Sequence, residues 1–453
     1  MFGRFALGLS VGLTLAINAQ ANGRFPTASL LAFDPADRSH LLLRTTFGLI
    51  DIDEPSHSGS WTCEAALKLD VQEDPMVALT ADGRLVASTN HGIVTRTGRC
   101  EFTRPAELEG EFMPDLTLDR QNPHRIVTFN VRGLPQSMFA AQLYESLDDG
   151  ASFQPLGEPL PSDLLPLSVD IAPNDSNRIY LTARANNVRN YEGVLLSSTD
   201  GGQHFEQFIV PETGSLRLPF LAAIHRDDAE RLYVRVNDPE GNVLWLSRDG
   251  GASQERVFTA RGRLLGFALS PDGEEIVFGG PSDGLWGARA DGSELSQRSD
   301  ATVSCLSWDA EGLYACGDAA APYLLGKSID AGANFSAVLT VDGLCEASGC
   351  AASDPLTQSC AGAWRPLAEQ LGATCGVSGA GNGGASSGGA SSGGASASGT
   401  PNEGGGTGRP GGGGCTISSP RHTHGMTWLL VAIGLGFRRR RLAPREFSGK
   451  FQA

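Results

Sequence analysis

Four copies of one five-residue turn, Ser-x-Asp-x-Gly, constrain what this chain can fold into. They read Ser146-Leu-Asp148-Asp-Gly150, Ser198-Thr-Asp200-Gly-Gly202, Ser247-Arg-Asp249-Gly-Gly251 and Ser328-Ile-Asp330-Ala-Gly332. Short Ser and Asp side chains accept hydrogen bonds from backbone N–H groups two residues on, so the turn is built locally. The glycine supplies the positive φ of a tight hairpin. Each copy follows an apolar, strand-like run. Phe153, Phe205 and Phe335 then start the returning strand, where an aromatic ring can plug the gap between neighbouring sheets.

A second element recurs in register with the first: apolar strand, polar turn, apolar strand. With Pro35, Asp82, Gln121, Asn174, Asp227, Asp272 and Ala310 as turn markers, the steps are 47, 39, 53, 53, 45 and 38 residues. That is the period of a four-stranded propeller blade, and a β-sandwich does not repeat this way. Three blades carry degraded turns: Ser58-Gly-Ser-Trp61, Thr95-Arg-Thr97-Gly98 and Ala290-Asp291-Gly292. The Ser-x-Asp-x-Gly motif resembles the Asp-box of BNR (sialidase-type) repeats, which closes a hairpin in each blade of a β-propeller. The resemblance implies a structural, non-catalytic role for Ser146, Asp148, Gly150, Ser198, Asp200, Gly202, Ser247, Asp249, Gly251, Ser328, Asp330 and Gly332. The expected fold is all-β: a seven-bladed propeller over residues 22–342.

The ends have another character. Residues 1–21 read as a signal peptide: Arg4, an apolar run to Ile17, and the small-x-small site Ala19-Gln-Ala21. Residues 376–414 are almost wholly Gly, Ser, Ala, Asn, Pro and Thr, a tether that cannot bury a core. Residues 415–453 begin with Cys415 and continue to an apolar stretch, 426–437, and four arginines, 438–441. Twelve apolar residues are too few to span a bilayer, which takes about 20. Cys, apolar stretch and arginines together resemble the MYXO-CTERM sorting signal of myxobacterial surface proteins. In that family the Cys is the processing and anchoring position. The resemblance implies secretion, membrane attachment through the C-terminal anchor, and display at the outer cell surface of a Gram-negative, myxobacterial-type bacterium.

The chain's net charge is −16, and residues 22–414 alone hold 27 basic against 50 acidic residues. Such a surface repels phosphate and argues against nucleic acid.

Eight of nine cysteines precede the tether, and secretion makes disulfides the default. Cys305 and Cys316 flank the turn at 309–312 symmetrically and should bridge one hairpin. By elimination Cys63 is expected to pair with Cys100. Cys345, Cys350, Cys360 and Cys375 lack a CxxC knuckle or a nearby His, so a stapled cap over 343–375 around a helix Trp364–Leu371 is preferred to a zinc site. Its three possible pairings stay open.

No catalytic residue, metal site or cofactor stands out. The Arg-Ile-Pro element of sialidases has only Arg24-Phe-Pro26 and Arg217-Leu-Pro219 as weak counterparts. Tyr144-Glu145 and Tyr191-Glu192 are adjacent, which in a strand points the two side chains to opposite faces. Ligands of similar propellers use the face opposite the Asp-box turns. The longest loop expected there, 183–193, carries Arg184, Asn187, Arg189 and Tyr191, suited to gripping a carboxylate or sugar; the loop at 132–139 follows, with Met138 and Phe139. The function expected is a non-catalytic binding, adhesion or protein-interaction module, a monomeric ring facing an extracellular protein or glycan. The alternative is a sialidase-like or other exo-acting glycosidase on the same ring.

Overall fold

A computed structural model describes residues 24–374, apart from 71, 187–190 and 347–349. The segments expected to be signal peptide, tether and tail, together with Asn187, Arg189, Cys375 and Cys415, lie outside the described residues. Seven sheets are present among the described residues, each with four antiparallel strands in sequence order from first to fourth. Their first strands are Ala28–Phe33, Met76–Leu79, Leu116–Leu118, Leu164–Ala172, Leu218–Ile224, Gly266–Leu269 and Cys305–Asp309. Each packs on the next, and the seventh packs on the first, so the sheets close into a seven-bladed ring. Every turn marker read from the sequence falls between the first and second strands of its blade.

Burial grades across each blade. Second strands are the most buried, Leu85–Thr89 along its whole length, because neighbouring blades cover both faces. Fourth strands such as Glu206–Ile209 and Glu255–Thr259 are short, charged and mostly exposed. That composition discourages edge-to-edge pairing at the rim. The apolar core is accordingly divided, with one cluster at each of the seven interfaces between adjacent blades.

Where blade seven meets blade one, no loop leads from a fourth strand into a first strand as it does between the other blades. The seam is closed in other ways. The Ala28 N–H donates to the Gly317 carbonyl at 3.0 Å, and the Ala319 N–H to the Pro26 carbonyl at 3.0 Å. Leu344–Glu346 adds a fifth strand to blade one, parallel to Ser58–Thr62. Helices Pro355–Cys360 and Trp364–Leu371 follow, and Trp364 stacks on Trp61 with ring centroids 5.6 Å apart.

The disulfides correct the sequence reading in one respect. Cys305–Cys316 is present, across one hairpin as expected. Cys63, however, bonds Cys360, and Cys100 bonds Cys350. Two of the cap cysteines therefore staple the cap to blades one and two instead of pairing within it. The reason is tertiary: Leu356, Trp364, Leu367 and Ala368 bury themselves in the seam cluster with Trp61 and Cys63, a fold-back that cysteine spacing does not encode. Cys345 is also disulfide-bonded. The first blade's outer turn differs too, since Ser58–Trp61 lies in the fourth strand and the turn is Glu54–Ser56.

Candidate functional site

The ring has two chemically different faces. On one, the four Ser-x-Asp-x-Gly turns join third to fourth strands. Each Ser hydroxyl donates to its Asp carboxylate and accepts the Gly N–H four residues on, at 2.8–2.9 Å. Each Asp then accepts a backbone N–H and a side-chain donor from Ser152, His204, Ser253 or Asn334. The bonds thus reach four residues on, further than the local two-residue pattern. The Asp249 carboxyl is held below its usual range chiefly by the Ser253 hydroxyl, and Asp330 chiefly by the Asn334 amide. All four glycines have positive φ. A Cβ on Gly251 would sit 2.4 Å from Leu195, and one on Gly332 2.3 Å from Leu285, both in the preceding blade. The turns are therefore inter-blade contacts, and their carboxylates are committed to them. A groove of about 730 Å³ between the turns of blades four and five is lined by Arg178, Phe205, Phe208 and Glu230, with Arg178 and Glu230 paired at 2.6 Å.

The opposite face carries the connections between second and third strands and between successive blades. Here the expected loop at 183–193 is mostly strand: Asp175–Asn186 pairs with Tyr191–Ser198 up to Asn186 opposite Tyr191. The long apolar alternation extends the ladder where the Asn- and Arg-rich sequence suggested a loop. Arg184 and Tyr191 are brought together, with the guanidinium 5.4 Å from the ring centroid. Arg184 Nε donates to the Asn186 amide oxygen at 3.0 Å, and burial lowers the pKa of the guanidinium. Asn186 in turn donates to the Ser137 carbonyl in the connection of blade three, at 2.8 Å. That connection and its neighbours expose Phe112, Leu134, Tyr191 and Leu216, each more than two-fifths accessible. Sequence reading named only Tyr191 of these. Met138 and Phe139 are half-buried, and Phe139 packs into the core between blades three and four.

Around the axis, two carboxylates stand close together. Asp115 accepts the N–H of Leu116 and, from blade four, that of Val169, both at 2.9 Å. Asp170 accepts the Thr117 hydroxyl at 2.8 Å and its neighbour's N–H at 2.9 Å. Burial pushes the Asp115 carboxyl up to about 7, and raises Asp170 also. A pair of acids poised this way suits proton transfer, yet each bonds across the joint between the inner strands of blades three and four.

A Tyr–Glu pair exists, but not where the sequence offered candidates. The Tyr314 hydroxyl donates to Glu54 at 2.9 Å, and Lys327 holds the other carboxylate oxygen at 2.7 Å. Tyr314 is buried in the seam, and burial raises its pKa, away from nucleophilic character. Arg24 and Arg217 are bound to Asp74 and Asp238 respectively. Cys100, Cys350 and Asp354 come within metal-ligand reach of one another, but the two sulfurs form a disulfide and offer no thiolate.

Comparison with known proteins supports the fold. No family model and no curated protein matches the sequence. An ancestral GH74 enzyme superposes with a TM-score of 0.52 at 13% identity, covering 70% of this chain and 46% of that one. The extracellular domain of a hybrid two component system from B. thetaiotaomicron gives 0.47 at 13% identity, covering 65% and 37%. The chain spans less than half the length of either. A hydrazine synthase of Kuenenia stuttgartiensis gives 0.44 at 14% identity. The likeness to the GH74 enzyme is one of fold alone.

Proposed function

We propose that this protein is a secreted, surface-displayed recognition propeller that holds an extracellular protein partner on the face opposite its Asp-box turns. One observation carries the reading: Phe112, Leu134, Tyr191 and Leu216 expose apolar surface along that face, over blades three to five. All four sit at or beside connections on this one face, and exposed apolar surface gathered on a face marks an interaction site. Arg184 beside Tyr191 adds the aromatic–arginine chemistry enriched in interface anchors. Secretion rests on the signal-like residues 1–21, and attachment on Cys415 with the arginine-terminated tail. The glycosidase alternative draws on the GH74 neighbour. Against it weigh the bonded state of Asp115 and Asp170 and the raised pKa of Tyr314.

The test compares wild-type protein with a Leu134→Ser, Tyr191→Ser, Leu216→Ser variant for saturable binding to outer-envelope proteins of the producing cell. Loss of most binding, with an unchanged circular dichroism spectrum, is expected. Equal binding by the variant removes the reading. Release of reducing sugar from a polysaccharide panel establishes the alternative.

A further inference from the structure

The groove between the outer turns of blades four and five is built from both blades. Its floor is blade four, where Ser197 stands opposite Tyr180 on one neighbouring strand and Glu206 on the other, and Leu195 stands opposite Phe208. Residues opposite one another share a face of the sheet, and Ser197, Glu206 and Phe208 all line the groove. The facing wall is blade five, with Glu230 and Asp249. Gly250 lets that wall approach: a Cβ there would sit 2.0 Å from Arg178 and 2.4 Å from Glu230.

Two features of the groove serve no contact among the described residues. The first is a hydroxyl. Ser197 is 5% exposed, and its Oγ is buried without a hydrogen-bond partner. Tyr180, opposite it, has no proton left to give: its hydroxyl donates to the Ala229 carbonyl and accepts Arg178 Nε, both at 2.8 Å. The Ser197 lone pairs therefore lack a donor, which is costly at a buried oxygen. The second feature is charge. Arg178 and Glu230 cancel one another at 2.6 Å. Asp200 and Asp249 are tied to their turns by hydroxyl, imidazole and backbone donors, which leave the negative charge in place when the imidazole is neutral. No ion pair reaches Asp249 or Glu206 among the described residues. Three carboxylates thus line the groove without a permanent cation to balance them.

We infer that this groove binds a free alkyl polyamine, with ammonium groups on the Ser197 hydroxyl and the Glu206 carboxylate and the methylene chain along the Phe208 ring. An ammonium is a donor only, which is what the Ser197 lone pairs lack. Several carboxylates call for more than one positive charge, and an aromatic face attracts a cation beside it. A volume of about 730 Å³ suits a whole small molecule, more than one lysine side chain fills. The groove lies on the turn face, away from the apolar stripe over blades three to five, so either can fail alone.

The experiment is calorimetric titration of the full-length protein with spermidine, tetralysine or magnesium chloride at matched ionic strength and pH 8, where imidazole is neutral. Spermidine should bind saturably at one site, and magnesium should not. Ser197→Ala should weaken spermidine about tenfold with Tm unchanged, because its oxygen holds nothing in the free protein. Glu206→Gln, at an exposed position, should weaken it about three- to fivefold, and serves if the first variant folds poorly. No saturable binding, or binding that both variants leave unchanged, overturns the site. A fall in Tm for Ser197→Ala gives the hydroxyl a structural role and overturns its assignment. Tighter binding of tetralysine or magnesium overturns the free polyamine as the ligand.

Discussion

The blades that carry Ser-x-Asp-x-Gly turns and the seam between blades seven and one solve the same problem by opposite means. In blades three, four and five, residues within a few positions of one another close each outer hairpin, and the turn glycine presses on the preceding blade. Blade one has no such turn. Its outer strand is instead joined by Leu344–Glu346, and the cap is fastened by bonds spanning 297 and 250 residues. The difference follows from chain continuity. A blade connected to its neighbour needs only local order, whereas the two ends of a ring must be brought together against the entropy of the whole chain.

Four experiments break or sharpen this contrast. Replacing Cys63, Cys360, Cys100 and Cys350 with Ser should cost most, since closing loops this long removes about 5 kcal/mol per bond from the unfolded state in the chain-entropy limit. The Cys305–Cys316 hairpin, with a separation of 11, should cost less, about 3 kcal/mol. Calorimetry should show the first set lowering Tm further than the second. The opposite ranking would mean that the seam holds without its staples.

Next comes Gly332→Ala, which places a Cβ at positive φ and against Leu285. About 1–3 kcal/mol should be lost in urea unfolding, from overpacking and backbone strain. A smaller effect is expected of Ser146→Ala, which leaves the buried Gly150 N–H without its acceptor, at about 1–2 kcal/mol. A matching loss from Ser58→Ala, in the blade lacking the turn, would contradict the contrast.

The smallest effect is on pH dependence. The carboxyls of Asp148 and Asp249 titrate below their ordinary range in the folded state. Their stabilisation is therefore present above about pH 4, the unfolded value, and is lost as pH falls through the lower folded one. Asp249→Asn should flatten the acid limb of the stability profile. Asp115 has the opposite sign: with a folded pKa of about 7, its contribution is full below about pH 4 and is lost as pH rises through neutrality.

Much of the frame was legible because it is periodic. The seven turn markers and the helix Trp364–Leu371 correspond to elements of the fold, since hairpin chemistry and amphipathic spacing act over a few residues. The Cys305–Cys316 bridge was legible for the same reason. Contacts between distant segments left no such trace. Asp115 reaches Val169 across a blade boundary, and Glu54 reaches Tyr314 across the seam. Neither pair is marked by a motif. At 183–193, Asn and Arg suggested a loop, but cross-strand pairing carried the ladder out to Asn186 and Tyr191.

What the sequence determined by itself was the number of blades and the chemistry of their turns. Each depends on spacing or composition within a short window. Only the tertiary structure decided which cysteines meet and which carboxylates are already bonded. Those outcomes depend on distances between residues tens to hundreds of positions apart, which exist only once the ring has closed.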